Sequence, residues 1–204
     1  MHWLRSIEVT APTYPAVWLV ATPQRPSNLT ERSTLRRETA RTVLARQLGC
    51  PAAEIAIGHD PAGRPLLATH RETGLQISLA TRSGVVAIAL ARMPVGVDVE
   101  RVDPAGVIPP EALHRDEWRM LEESEPSLCP LAFARLWAAK EAYVKALGTG
   151  FIRPPESFAV SLTSPERFRV DDPLRGMTAE GVLATIENGG QEILAAAAIV
   201  LDGA

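Results

Sequence analysis

The stretch Trp137–Gly150, WAAKEAYVKALGTG, decides how the second half of the chain is read. Ala, Leu, Lys and Glu favour a helix, and no proline lies between Leu131 and Gly150. Gly148 and Gly150 supply the stop. Phe133, Leu136, Tyr143 and Leu147 fall at helical spacing and face a core. Trp137, Glu141 and Lys145 are four apart and share another side, while Lys140 points elsewhere. The chain has 21 cationic residues, and its only two lysines, Lys140 and Lys145, lie in this helix. Lysine is a compact point charge with rotatable donors, suited to phosphate. An ordinary Glu–Lys surface pair explains the spacing equally well.

The second informative stretch is Pro94–Glu100, PVGVDVE. Alternation puts Val95, Val97 and Val99 on one face of a strand, and Gly96, Asp98 and Glu100 on the other. Two carboxylates this close repel each other unless a cation sits between them. A hard divalent cation such as Mg²⁺ is the natural occupant, because it takes carboxylate oxygens and keeps room for water and phosphate. A solvated acidic edge is the alternative.

The remaining sequence sets the frame. At 204 residues the chain can bury a full core, as one domain or two small lobes. An apolar content of 46% with 22% charge is that of an ordinary soluble protein. A net charge of −3 argues against general nucleic-acid binding. Cys50 and Cys129 form no metal pattern and read as intracellular thiols. The start, MHWLRSIEVTAP, has no long apolar region, and the run Ile193–Leu201 is too short to span a bilayer, so a cytoplasmic protein without a membrane partner is expected.

Ala16–Ala21 reads as a buried strand. Thr30–Leu48 reads as a helix capped by Thr30 or Ser33, ended by Gly49, with a basic face of Arg32, Arg36, Arg37, Arg41 and Arg46. Glu54–Gly58 is a short strand, and His59–Pro65 is a turn carrying Arg64. Leu75–Ala80 and Val85–Ala91 form a hairpin. A proline-rich link over Pro104–Pro110 leads to helices over Glu111–Glu123 and beyond. Strands follow at Ser157–Thr163, Phe168–Val170, Gly181–Glu187 and Glu192–Leu201, the last pair joined by Asn188-Gly189-Gly190. The fold class is therefore α+β, in two similar pseudo-symmetric lobes, each an antiparallel sheet packed with helices. The lobes are placed at residues 1–103 and 104–204.

Taken together, GVDVE, a spacer of about forty residues and WAAKEAYVKALG resemble the 4′-phosphopantetheinyl transferases, in their two-lobed, monomeric form. RRETARTVLARQL resembles the first-lobe helix of that family, and Gly63-Arg64-Pro65 its Gly-Lys/Arg-Pro turn. The resemblance implies transfer of phosphopantetheine from coenzyme A to a serine of an apo acyl, polyketide or peptidyl carrier protein, releasing adenosine 3′,5′-bisphosphate. It implies Mg²⁺, or Mn²⁺, on Asp98, Glu100 and Glu141. Glu141 is the implied base for the serine, Lys145 neutralises charge on phosphate or leaving group, and Lys140 holds a coenzyme A phosphate. Arg41, Thr42, Arg64 and Pro65 match positions at the nucleotide end. Thr81 stands where the family usually has a histidine that contacts the 3′-phosphate, with Arg82 adjacent as a substitute. Two other readings share some of these residues: a non-catalytic coenzyme A or carrier-binding protein, and a Mg²⁺-dependent phosphohydrolase.

Overall fold

The computed structural model describes residues 1–150, 154–190 and 192–202. In chain order the elements are β1 (His2–Leu4), β2 (Ala16–Ala21), α1 (Leu29–Leu48), β3 (Ile57–His59), β4 (Pro65–Leu67), β5 (Gln76–Arg82), β6 (Val85–Ala91) and β7 (Val95–Arg101). Then come α2 (Arg115–Glu122), α3 (Cys129–Leu147), β8 (Ala159–Ser164), β9 (Arg167–Asp172), β10 (Met177–Asn188) and β11 (Glu192–Val200). The fold is α+β, as expected. One sheet runs β1-β2-β6-β5, with β1 parallel to β2, and a second runs β7-β11-β10-β9-β8. β3 and β4 form a separate hairpin.

Alternation along the strands makes three packed layers of side chains. Ala16, Trp18 and Val20 of β2 and Val86, Ile88 and Leu90 of β6 turn towards α1, meeting Leu35, Val43 and Leu44. The opposite faces, Val17, Leu19, Val85, Ala87 and Ala89, meet Val95, Val97 and Val99 of β7 and Leu194, Ala196 and Ala198 of β11. The two sheets therefore share a core rich in alanine, whose small side chains permit close approach. On the far side, α3 covers the second sheet through Leu136, Tyr143, Ala197 and Ile199.

β7 belongs to the second sheet: Asp98 pairs with Ala197 and Glu100 with Ala195 of β11. The change of sheet thus falls between Ala91 and Val95, ahead of the proline-rich link around which lobes 1–103 and 104–204 were drawn. Loop composition marks a flexible connection, whereas hydrogen bonding decides which sheet owns a strand. The helix starts also differ in detail. Asn28, not Thr30 or Ser33, caps α1, its side chain accepting from Glu31 N. Glu111–Glu123 divides into a short 3₁₀ turn and α2. Among the described residues no helix is long and apolar enough to cross a membrane.

Candidate active site

Gly96 sets the distance between β7 and α3. A Cβ built there would lie 1.8 Å from the carbonyl oxygen of Ala142 and 2.7 Å from Ala146 N. Only glycine lets the helix backbone rest on the strand. That contact brings the polar face of β7 under the last turns of α3, so Asp98 and Glu100 meet Glu141 and Lys145.

Asp98 is buried. Its Oδ1 accepts from Lys145 Nζ at 2.6 Å, and its Oδ2 is buried without a hydrogen-bond partner. Lys145 also reaches Val97 O at 3.4 Å. Glu100 pairs with Arg82 at 3.3 Å, yet burial, followed by the charge of Asp98, raises its pKa. Glu141 is pushed up to about 7, first by burial, then by Asp98, with Glu100 adding in the same direction and Lys145 opposing. Burial and the charge of Asp98 thus raise the cost of ionising both Glu100 and Glu141 in a partly dry site. Their oxygens do not all lie within 4.8 Å of one another, the spacing of a closed ligand set.

A cation suits this donor set. All three groups offer hard carboxylate oxygens, and Asp98 Oδ2 is a buried acceptor with nothing to accept from. The ammonium of Lys145 supplies one positive charge to a cluster of three acids.

Beside the cluster lies a cavity of about 190 Å³. Its cationic walls are Arg36 and Arg37 from α1, Arg64 from the turn before β4, and Lys145. Pro65, His59 and Ser78 complete its polar and turn-borne lining. Asp60 holds the turn: its Oδ1 accepts from Arg64 N at 2.9 Å, and its Oδ2 pairs with Arg64 Nε at 3.3 Å. Ser78 Oγ accepts from Val97 N at 3.1 Å, joining the two sheets one residue from Asp98. A second basic cavity is lined by Arg25, Arg32, Thr81, Arg82, Ser83 and Arg101. Thr81 Oγ1 is buried there with no partner.

The structure therefore gathers Asp98, Glu100, Glu141 and Lys145, places Arg64 and Pro65 on one cavity, and places Thr81 and Arg82 on another. It separates the rest. Arg41 and Thr42 are exposed on α1 away from both cavities, and Thr42 donates to Glu38 O at 3.1 Å. Lys140 is fully buried on the opposite side of α3. It pairs with Glu117 at 2.8 Å, donates to the carbonyls of Pro155 and Phe158 at 2.8 and 2.9 Å, and lies 4.4 Å from the Phe158 ring centre. A lysine with those partners cannot reach a ligand phosphate, which corrects the role expected of it. Glu117 was not singled out from sequence. It accepts from Val160 N at 2.6 Å and His114 N at 2.7 Å as well as from Lys140. The spacing His114-x-x-Glu117, a capping box, was the available signal.

This chain belongs to the 4′-phosphopantetheinyl transferase superfamily, which it matches over residues 94–196, just over half its length. Curated relatives agree. The 4′-phosphopantetheinyl transferase gsp of Aneurinibacillus migulanus is 27% identical over 128 residues, 62% of this chain and 52% of that protein. A 4′-phosphopantetheinyl transferase of Bacillus subtilis is 27% identical over 134 residues, 65% of this chain and 59% of its own length. HetI of a Nostoc species, also a 4′-phosphopantetheinyl transferase, is 28% identical over 142 residues, 66% and 59% respectively. The chain matches between about half and three-fifths of the length of these relatives.

Proposed function

We propose that this chain transfers the 4′-phosphopantetheine group of coenzyme A to a serine of an apo carrier protein, releasing adenosine 3′,5′-bisphosphate. The observation that carries the reading is the meeting of Asp98, Glu100 and Glu141 with Lys145, a residue that also lines a cavity walled by Arg36, Arg37 and Arg64. Acids alone suit many metal sites. Acids beside a multi-arginine cavity suit a phosphate ester that carries several charges.

In this reading Asp98, Glu100 and Glu141 hold one Mg²⁺, or Mn²⁺, through carboxylate oxygens. The bound ion supplies Lewis-acid neutralisation of the pyrophosphate. Arg36, Arg37 and Arg64 bind the nucleotide end, and Lys145 lies where charge grows on the leaving phosphate. Glu141, whose carboxyl is raised to about 7 in the absence of an ion and would be held ionised beside one, takes the proton from the serine Oγ as that oxygen attacks phosphorus. The serine O–P bond forms and the bond to the departing nucleotide phosphate breaks. The second cavity, with Arg32 and the unpartnered Thr81 hydroxyl, receives the 3′-phosphate. Two pseudo-symmetric lobes acting as a cytoplasmic monomer complete the proposal.

A non-catalytic binder of the same ligands is the competing reading. A protein that only binds gains nothing from a carboxyl held near neutrality, because clustered acids cost stability. A Mg²⁺-dependent phosphohydrolase shares the acids but needs no carrier. Incubating the protein with coenzyme A, Mg²⁺ and an apo carrier protein, then weighing the carrier, separates the three. A carrier heavier by one phosphopantetheine is the expected result. An unmodified carrier with coenzyme A intact supports the binder, and cleaved coenzyme A with an unmodified carrier supports the hydrolase.

A further inference from the structure

Away from the acidic cluster, Cys50, Glu54 and His70 bring one ligand atom each to within 4.8 Å of the others. The sequence gives no warning, because twenty residues separate the thiol from the imidazole. Short, well-held segments bring them together. Cys50 follows Gly49, the left-handed end of α1, and its N donates to Ala45 O at 3.0 Å. Glu54 ends a 3₁₀ turn whose last N–H donates to Pro51 O at 2.9 Å. His70 opens another such turn. Two hydrogen bonds tie the last two segments together: Ala56 N to Thr69 Oγ1 at 3.1 Å, and Ala68 N to Ala56 O at 2.8 Å.

Three further observations point to a ligand. Cys50 Sγ lies 3.6 Å from His70 Nε2. Tetrahedral zinc, with Zn–S of about 2.3 Å and Zn–N of about 2.0–2.1 Å, holds sulfur and nitrogen about 3.5–3.6 Å apart. The carboxylate of Glu72 stands 3.6 Å from Nδ1, the other ring nitrogen. That is the side from which a carboxylate orients a ligating imidazole and fixes its tautomer. Finally, His70 has φ 58° and ψ 32°, a left-handed backbone uncommon for a residue with a side chain. Thr73 Oγ1 holds that conformation by donating to His70 O at 2.7 Å.

We propose that Cys50, Glu54 and His70 form a zinc site, separate from the acidic cluster, that staples the end of α1 to the base of the β3–β4 hairpin. The donor set matches the borderline-soft Zn²⁺: one sulfur, one nitrogen, one oxygen and an open position for water. Mg²⁺ has no use for a thiolate. Binding releases the Cys50 thiol proton to solvent and leaves the thiolate on the metal. The staple has a consequence for the cavity, because Ile57 and His59 of β3 and Arg36 of α1 all line it. Fixing the hairpin base against the helix end fixes the distance between those walls. The site stands independently of the transferase reading.

Cobalt tests it. The full chain, stripped with a chelator and held in excess Mg²⁺ so that the carboxylate cluster is saturated, is titrated with Co²⁺ and then Zn²⁺. A thiolate-to-cobalt charge-transfer band is expected in the wild type and in Cys129→Ser, removed by one equivalent of Zn²⁺. It is absent in Cys50→Ser. Glu54→Gln, at an exposed side chain, and Glu72→Gln each lower Co²⁺ affinity by about 10–100-fold. These two variants carry the test should Cys50→Ser fail to fold. No band in the wild type, a band that survives Cys50→Ser or vanishes in Cys129→Ser, or unchanged affinity in both glutamine variants would overturn the site.

Discussion

At the scale of single residues, Glu141 is where structure and chemistry meet most directly. In the absence of an ion, its carboxyl is raised by burial and by Asp98 to about 7. Glu141→Gln keeps the shape and removes both the proposed base and one of the three acidic charges. Carrier loading should fall by at least about 10²–10⁴-fold, the usual worth of general-base catalysis, with the circular dichroism spectrum unchanged. Loading within a few-fold of wild type would remove Glu141 from the chemistry. Thr81 poses a second residue-scale question. Its hydroxyl is buried without a partner, while the guanidinium of neighbouring Arg82 is engaged with Glu100 at 3.3 Å. A charged donor contributes about 1.5–3 kcal/mol and a neutral one about 0.5–1.5, so Thr81→His should tighten coenzyme A binding roughly tenfold and leave dephospho-coenzyme A unchanged. Arg82→Ala should then matter mainly through Glu100. Calorimetry with both ligands on both variants checks this. Loss of the preference for coenzyme A in Arg82→Ala, with no gain in Thr81→His, would assign the charge to Arg82 instead.

At the scale of elements, α3 carries two lysines with opposite duties. Lys145 faces the acids, and Lys140 is locked with Glu117 between α2, α3 and β8. Removing one partner of a fully buried pair strands the other charge, so Lys140→Met should cost about 3–5 kcal/mol in urea unfolding. Lys140→Met combined with Glu117→Leu should recover most of that loss, and the folded fraction of either should load carrier normally. Loading lost beyond the loss of folded protein would return Lys140 to the ligand site. Helical spacing showed that the two lysines point different ways. It could not show that Glu117, contributed by another helix, waits on the far side. Gly96 makes the same point. The strand pattern of PVGVDVE fixed the faces of Val95, Val97, Val99, Asp98 and Glu100 correctly, but the 1.8 Å conflict of a Cβ with Ala142 O depends on how close α3 lies. Gly96→Ala should therefore lift α3 off β7, lowering the melting temperature and separating Glu141 from Asp98. A variant as stable and as active as wild type would show that the contact tolerates a methyl group.

At the scale of the whole molecule, the site lies where two sheets and two helices meet, and that is why the sequence reveals only part of it. Asp98, Glu100, Glu141 and Lys145 sit in two short stretches whose periodicity shows their common faces. The cavity walls come from α1, the turn before β4 and β5, three segments whose mutual placement is set by long-range packing. Hence Arg36 and Arg37 line the cavity while Arg41, one turn further along the same basic face, does not. Cys50 and His70 meet for the same long-range reason.

The acidic cluster also gives the whole molecule a pH dependence whose sign can be worked out. Glu141 has an ordinary value of 4.5 when unfolded and about 7 when folded, and Glu100 is shifted in the same direction. The folded state therefore binds these protons more tightly than the unfolded chain does. Their contribution is fully present below pH of about 4.5 and is lost as pH rises through about 7. Each pKa unit corresponds to about 1.36 kcal/mol, so Glu141 alone accounts for a loss of about 3 kcal/mol across that window. A divalent cation reverses the balance, because the ionised acids then have a partner. In a chelator, wild-type stability measured by urea unfolding should fall between pH 5 and 7.5 relative to Glu141→Gln, which cannot ionise. Asp98→Ala should flatten the same slope by removing the neighbour that raises Glu141. Added Mg²⁺ should restore wild-type stability at pH 7.5 and do far less for either variant. Parallel pH profiles for wild type and Glu141→Gln without metal would mean that the carboxyl is not held near neutrality by its neighbours. An equal effect of Mg²⁺ on all three proteins would place the ion elsewhere.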